Sequence, residues 1–479
     1  MYNTVTYVDV KVDIKFRNDL THTVYVNRDV TYDDSSEITN FDINSSLSSS
    51  SSNPLGGVAT NTLDLTLESY DDNLDPECTS SPYYGYMDRT AYLEVFVTKL
   101  YIDPFDEESD AEDKYPQEEV EFQTPVPLGT FYVESWTSNS SADDIYNVQI
   151  TATDLITSIC NMDVPIVRLD PRQSVMVYLK NVIDKLNKTL PAYKQIKLSE
   201  KLLNDLKVSE YDVNARHRNL ATGGKVGDLF NQVSQQLLSN IYMDHENFLA
   251  FDSLLDDQAQ EPVTTFSDDT NLDSISRTSG LLVDYSGINV QYPVGKTETD
   301  KSIASVSDTK FDETKFNNLA LSQRTHNMSY IVVTSSTSVC PTVKSLKYDN
   351  TKMNLELTKV NGEGTYSLEV YGSVQKDDTD TTDASYTNDD SKDSVITLQN
   401  DILAKSKIAD YQAKVLKYMK NKRSGISCDV YCDPRICLGD AVTVKSTLLG
   451  ISDKYKVISL HWSLEDSLMC NAELMAITF

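Results

Sequence analysis

Five histidines, His22, His217, His245, His326 and His461, set the ceiling on the acid–base and metal chemistry this chain could carry. None lies in a His-Glu-x-x-His helix, where two imidazoles one turn apart hold zinc, and none has a second ligand close by in sequence. Seven cysteines stand at 78, 160, 340, 428, 432, 437 and 470. Cys428, Cys432 and Cys437 come nearest to a metal knuckle, but no Cys-x-x-Cys pair occurs among them, and strand alternation puts Cys428 and Cys432 on the face of Ile426 and Val430. They read as small buried hydrophobes. Their odd number, in a chain whose first residues lack a basic region followed by an apolar stretch, does not indicate a disulfide framework or a secretory signal.

Carboxylates are abundant instead. Asp103 to Glu121 is densely acidic, and Asp377 to Asp393 carries repeated aspartates among Thr and Ser. Both read as solvated excursions. Calcium suits closely spaced carboxylates and stays open for the second stretch, although the loop glycine and closing glutamate of an EF-hand are missing. With 73 acidic residues, chance carboxylate pairs are inevitable, so a paired-carboxylate hydrolase cannot be read from sequence alone. No Gly-x-Ser-x-Gly elbow, phosphate-cradling loop or dinucleotide fingerprint is present, and Gly223-Gly224-Lys225 is a lone glycine pair before a helix. His461, beside Trp462 in an alternating segment, reads as an ordinary strand histidine. The sequence nominates no catalytic residue, no cofactor site and no metal site.

The elements that would position any such groups are mostly strands. Asn61 to Leu67 alternates strictly, with Leu63, Leu65 and Leu67 on one face and Thr62, Asp64 and Thr66 on the other, as a half-buried strand must. Ala91 to Val97, Thr130 to Trp136 and Val148 to Ala152 repeat the pattern, so antiparallel sheet or barrel is the natural sum. Ser48 to Ser52 is a serine run too polar to bury. After Asp170-Pro171, an N-cap with proline at the first helical position, Val175, Leu179, Val182 and Leu186 predict an amphipathic helix that ends before Pro191. A second helix is expected over Ser199 to Leu206. A third begins near Lys225 with Val226, Leu229, Phe230, Val233 and Leu237 inward, and runs into a hairpin turning at Asp244-His-Glu-Asn247. Strand-like text follows at Gly280 to Asp284, Ile288 to Tyr292, Tyr330 to Thr334 and Tyr366 to Tyr371. A helix over Ala404 to Met419 buries Ile408, Tyr411, Val415 and Tyr418. Two closing strands carry Ile458, Leu460, Trp462 and Leu464, then Cys470, Ala472, Leu474 and Ala476, which suggests a small closed barrel.

Four stretches near the start resemble the bacteriophage tail hub family, the proteins that close the tail tube at the baseplate or tail tip. They read Pro54-Leu-Gly-Gly with Thr60 to Leu67; Asp71-Asp-Asn-Leu-Asp-Pro76 with Ser81-Pro-Tyr-Tyr-Gly85; Pro127-Leu-Gly-Thr-Phe-Tyr-Val133; and Gln149-Ile-Thr-Ala-Thr-Asp-Leu155. Near the other end Asp433-Pro-Arg-Ile-Cys-Leu-Gly-Asp-Ala-Val-Thr-Val444 looks like the family's second β module, while residues 260 to 400 resemble nothing nameable. The resemblance implies an α+β, mainly β chain with two β-barrel modules and an inserted helix-hairpin domain. It divides into a tube-like module over 1–162, a helix-rich insertion over 163–275, a β domain of open role over 276–395 and a helix plus second module over 396–479. It also implies a structural, non-enzymatic role: a homotrimeric hub ring that caps the tail tube or a distal tail ring and joins it to a central spike or tip protein. The tape measure protein is a candidate further partner. The virion tail would be its location, after assembly in the host bacterial cytoplasm. Pro82-Tyr-Tyr-Gly-Tyr86, the densest tyrosine cluster, is by its family position a structural loop rather than a binding epitope.

Length and charge agree with that expectation. A chain of 479 residues suits three or four domains. The net charge of −31 disfavours direct nucleic-acid binding and suits a conduit that DNA passes without sticking, although acidity also serves plain solubility. No apolar run reaches the length of a membrane-spanning helix. Two other readings stay open: a tail-associated cell-wall hydrolase, which should bring an appended catalytic domain where this chain stops at Phe479, and a receptor-binding adhesin of the tail tip, which should show a fibrous repeat or lectin-like sandwich.

Overall fold

The computed structural model describes residues 5–26, 37–47, 55–69, 73–102, 118–140, 146–165, 167, 175–198, 224–255, 261–269, 271–278, 285–322, 325–348, 352–385, 394–400, 403, 407–419, 425–431, 433–464 and 468–477. The serine run at 48–52, the expected cap at 170–171, the expected helix at 199–206, the expected strand at 280–284, His217 and Cys432 lie outside them.

The first strands are β1 (Val5–Lys15), β2 (Thr21–Val26), β3 (Glu37–Ser46), β4 (Thr60–Ser69), β5 (Tyr92–Ile102), β6 (Glu118–Ser140) and β7 (Tyr146–Thr153). They pair in the order β2-β1-β5-β6-β7-β4-β3, and β2 also meets β3 at Tyr25 opposite Glu37. Period-two alternation decides what these strands bury. Leu63, Leu65 and Leu67 are sealed in the core, while Asp64 stays exposed and accepts a hydrogen bond from Thr151 Oγ1 at 2.9 Å on the neighbouring strand. Part of the acidic stretch expected as a solvated excursion is strand: Glu118 to Glu121 pair with β5, Ile102 opposite Glu118 and Lys99 opposite Glu121, while 103–117 lie outside the described residues.

Helices α1 (Leu155–Ile159), α2 (Val175–Leu186) and α3 (Val226–Leu237) follow, with β8 (Lys197–Leu198) and the hairpin β9 (Ser239–Met243) and β10 (Phe248–Ser253). The faces foreseen for α2 and α3 are the buried ones, except that Leu237 is only half-buried. A second apolar cluster forms here from Val175, Leu179, Val182, Val226, Phe230 and Ile241 among others. Leu238 closes α3 in the left-handed conformation and turns the chain into the hairpin.

Next come β11 (Thr264–Ser267), β12 (Leu272–Thr278), β13 (Tyr285–Lys310), β14 (Lys315–Ala320), β15 (Thr325–Ser335), β16 (Val343–Tyr348), β17 (Lys352–Leu357), β18 (Thr365–Ser385) and β19 (Ser394–Gln399). The chain leaves its larger unit after Val290 and returns at Thr382. The smaller unit holds β14-β17-β16 and the neighbours β15-β18-β13 around Ile303, Phe311, Leu355, Leu357, Tyr366 and Leu368. The aspartate-rich stretch from Asp377, expected as a loop, is strand as far as Ser385. Ladder pairing supplies partners for its backbone, and Thr and Ser between the aspartates tolerate the extended conformation; 386–393 lie outside the described residues.

The larger unit resumes with α4 (Ile408–Met419), which buries Ile408, Tyr411, Val415 and Tyr418 and is tied to α3 by Tyr411 Oη donating to Gln235 O at 2.8 Å. Then come β20 (Gly425–Val430), β21 (Ala441–Ser446), β22 (Ile451–Leu464) and β23 (Leu468–Ala476). They pair as β20-β23-β22-β21, and two strands from far earlier in the chain complete the set, β12 beside β20 and β11 parallel to β21. Asn271 ties the bend between β11 and β12: its side chain accepts from Ser267 N and donates to Thr265 O, and its carbonyl accepts from Tyr431 N.

Candidate functional site

Two places concentrate interactions: the seam between the first and last groups of strands, and a cleft beside the helix-hairpin segment. At the seam β22 runs antiparallel to β3, with Trp462 opposite Ile43 and Ser459 opposite Ser46, so thirteen strands form one sheet. The apolar sides share one core in which Phe41, Ile43 and Leu65 join Leu460, Trp462 and Leu474. His461 Nε2 lies 2.6 Å from Asp42 Oδ2, and Ser459 Oγ donates to Ser45 O at 3.2 Å. His461 is thus a seam residue on a strand.

A second contact ties the hairpin to the last strands. Lys456 Nζ of β22 sits 2.6 Å from Asp252 Oδ1 of β10 and donates to Ser253 O at 2.8 Å, and the two charged side chains are only 3% and 7% exposed. Close by, His245 Nδ1 approaches Cys437 Sγ at 3.6 Å, and Asp440 accepts from Cys437 N at 2.8 Å. A cysteine beside a histidine suggests a nucleophile and its base, but the electrostatics oppose that. Burial, then Asp440 and Asp244, push the Cys437 thiol up to about 12, and burial takes His245 down to about 4. Both shifts favour the uncharged forms, which disfavours the thiolate that nucleophilic chemistry needs. Nothing in the sequence linked these residues, which lie 192 positions apart.

Cys428 and Cys470 are buried as small hydrophobes, and no group of three metal-ligating side chains occurs among the described residues. The family-like stretches turn out to be structural devices. Asp154 caps α1, accepting from Thr157 N at 2.8 Å, and its other oxygen accepts from Asn61 N at 3.0 Å; burial holds its carboxyl up near about 6. Gly56, at φ +103, lies so close to the hairpin that a Cβ there would sit 2.4 Å from Ser239 O, and Ile241 N donates to Gly57 O at 2.9 Å. Asp433 is fully buried and bound by Arg435, whose guanidinium covers the Phe122 ring. In the tyrosine cluster, Tyr83 stacks on Phe16 at 4.5 Å and Arg17 sits over Tyr86, which packs the loop onto the end of β1.

The cleft, about 330 Å³, opens between the outer face of β5 and β6 and the hairpin turn. Its floor lies at a bulge, where the pairing of β5 with β6 slips between Val95 opposite Gly129 and Phe96 opposite Pro127. Tyr92 stacks on Tyr193 with rings 5.6 Å apart and nearly parallel, and Tyr132 lies 6.0 Å from Tyr92. Tyr132 Oη donates to Tyr193 O at 2.8 Å, and burial pushes that phenol up to about 12.

No family model and no curated protein matches the chain. Among solved structures it is similar to the tail protein from Neisseria meningitidis MC58 at 10% identity and a TM-score of 0.48, covering 97% of this chain and 96% of that one. It is also similar to a prophage MuSo2 tail protein from Shewanella oneidensis at 8% identity and a TM-score of 0.46, covering 97% of each chain. A third is the prophage tail protein gp18 from Listeria monocytogenes EGD-e, at 8% identity and a TM-score of 0.43 over 98% of this chain and 94% of that one.

Proposed function

We propose that this chain is a structural component of a bacteriophage tail baseplate or tail tip: a hub subunit that assembles as a homotrimeric ring, caps the tail tube and joins it to a central spike or tip protein. The observation that carries this reading is the seam. The run β1-β5-β6-β7-β4-β3-β2 reads as one barrel-like module and β12-β20-β23-β22-β21-β11 as a second. Fusing two such modules edge to edge through β3 and β22 fixes their mutual orientation, as a hub needs if three subunits are to offer six similar modules to a hexameric tube and three-fold symmetry to a spike. The family-like stretches support the same reading, since Gly56, Asp154 and Asp433 each hold one of these modules or its helix-hairpin segment in place.

On this reading the work is assembly, not catalysis, and the virion tail is its place. The face of Thr62, Asp64 and Thr66 is the candidate lumen face, because Leu63, Leu65 and Leu67 are committed to the core. With a net charge of −31 a neutral or acidic lumen lets DNA pass at little cost. Native mass spectrometry of the full chain tests the proposal: a trimer is expected in the presence of tube protein, and a persistent monomer or a closed hexamer would refute it.

A further inference from the structure

The cleft between β5, β6 and the hairpin turn has an aromatic wall and a polar rim of mixed sign, and the proposed assembly role does not draw on it. Tyr92, Glu94 and Phe96 alternate with the buried Leu93, Val95 and Val97, which brings Tyr92, Glu94 and Phe96 to the lining of the cleft. Tyr193, from the turn before β8, stacks on Tyr92, and both rings line the cleft. Gln195 lines the cleft with its Nε2 donating to Asn187 O at 3.4 Å, and Asn247, 9% exposed, lines it too, its Nδ2 donating to Tyr132 Oη at 3.4 Å and its buried Oδ1 without a hydrogen-bond partner.

Charge narrows the ligand. Glu94 and Glu246 disfavour a phosphate or carboxylate, and Lys197 on the same lining disfavours a bare cation. Glu94 moreover already has Lys15 Nζ at 3.7 Å. What remains is a neutral group that stacks on aromatic rings with one face and both donates and accepts hydrogen bonds around its edge. A sugar ring has that chemistry: its C–H face is apolar and its hydroxyls serve as donor and acceptor. The volume lies at the small end of the range of ligand sites, about 300–1,000 Å³.

We propose that this cleft binds a neutral saccharide of one or two rings, packed against the stacked Tyr92 and Tyr193 pair and hydrogen-bonded by Glu94, Gln195 and Asn247. The inference stands apart from the hub reading: a monomeric protein that binds sugar here would keep it, and a trimer that binds none would lose it. The test is ligand-observed saturation-transfer NMR on the full chain with methyl glycosides of glucose, galactose, rhamnose, N-acetylglucosamine and N-acetylgalactosamine, each up to about 10 mM. At least one glycoside should give transfer strongest at ring C–H protons. Tyr193→Ala should weaken its binding at least about threefold, since stacking on an aromatic is worth a factor of about 2–12. Asn247→Gly tests the other end without disturbing the turn, because Asn247 sits at φ +64, which glycine adopts freely, and it too should weaken binding. Three results would each overturn the proposal: no transfer from any glycoside, binding that both variants leave unchanged, or stronger transfer from an arginine amide probe than from every glycoside.

Discussion

Replacing Lys456 by Met should destabilise the larger unit more than any surface substitution, and the geometry sets the size. The ammonium lies 2.6 Å from Asp252 Oδ1 with both side chains nearly sealed from water. At an effective dielectric of about 20 the direct attraction is about 6 kcal/mol, much of it offset by the desolvation of both ions. Removing the cation alone removes the attraction and leaves the carboxylate in a site it shares with Asp440, so the loss should be about 3–5 kcal/mol. The assay is urea unfolding followed by tryptophan fluorescence. Both tryptophans, Trp136 and Trp462, lie in the larger unit, so the signal reports that unit alone. With a slope of about 3 kcal/mol per molar urea, the midpoint should fall by about 1–1.7 M. The double change Asp252→Leu with Lys456→Met should recover most of the loss, because an apolar pair of similar volume carries no unpaired ion. A single variant that loses less than about 1 kcal/mol, or a double variant no better than the single, would refute the assignment of Lys456 as a buried ionic tie.

His245 predicts a pH dependence. Its folded value, about 4, lies below the ordinary 6.5, so the unfolded chain binds the extra proton first and stability falls as pH drops from about 6.5 towards 4. His245→Gln should remove about 3 kcal/mol of that pH dependence in urea melts taken across the window, and an unchanged dependence would place the titration elsewhere. Gly56→Ala should cost about 3 kcal/mol in the same melts, from a positive φ and a backbone carbonyl where the new methyl would stand. Zymography of the purified chain against several cell-wall types should show no clearing; a zone abolished by one carboxylate substitution would favour the hydrolase reading over assembly.

Periodicity by itself determined most of what each segment does locally. Leu63, Leu65 and Leu67 alternate with polar residues, so that strand had one buried face whatever its neighbours were, and the spacing of Val226, Leu229, Phe230 and Val233 fixed the inward side of α3. Partners were another matter. Strands pair through backbone groups common to every residue, so nothing in the residues of β3 names β22, more than 400 positions away, and nothing in β11 or β12 says that they complete the sheet of β20 and β21 beyond an intervening unit. The same distance hid the approach of Cys437 to His245 and the tie between Asp252 and Lys456. Composition also misled where it was most uniform: the aspartates from Asp377 read as a solvated loop, yet as far as Ser385 the backbone is strand, because ladder hydrogen bonds outweigh the low strand propensity of aspartate once a neighbouring strand is in place. Sequence fixes the faces because burial depends on side chains; only the tertiary structure fixes the neighbours, because pairing depends on which backbones the whole chain brings side by side.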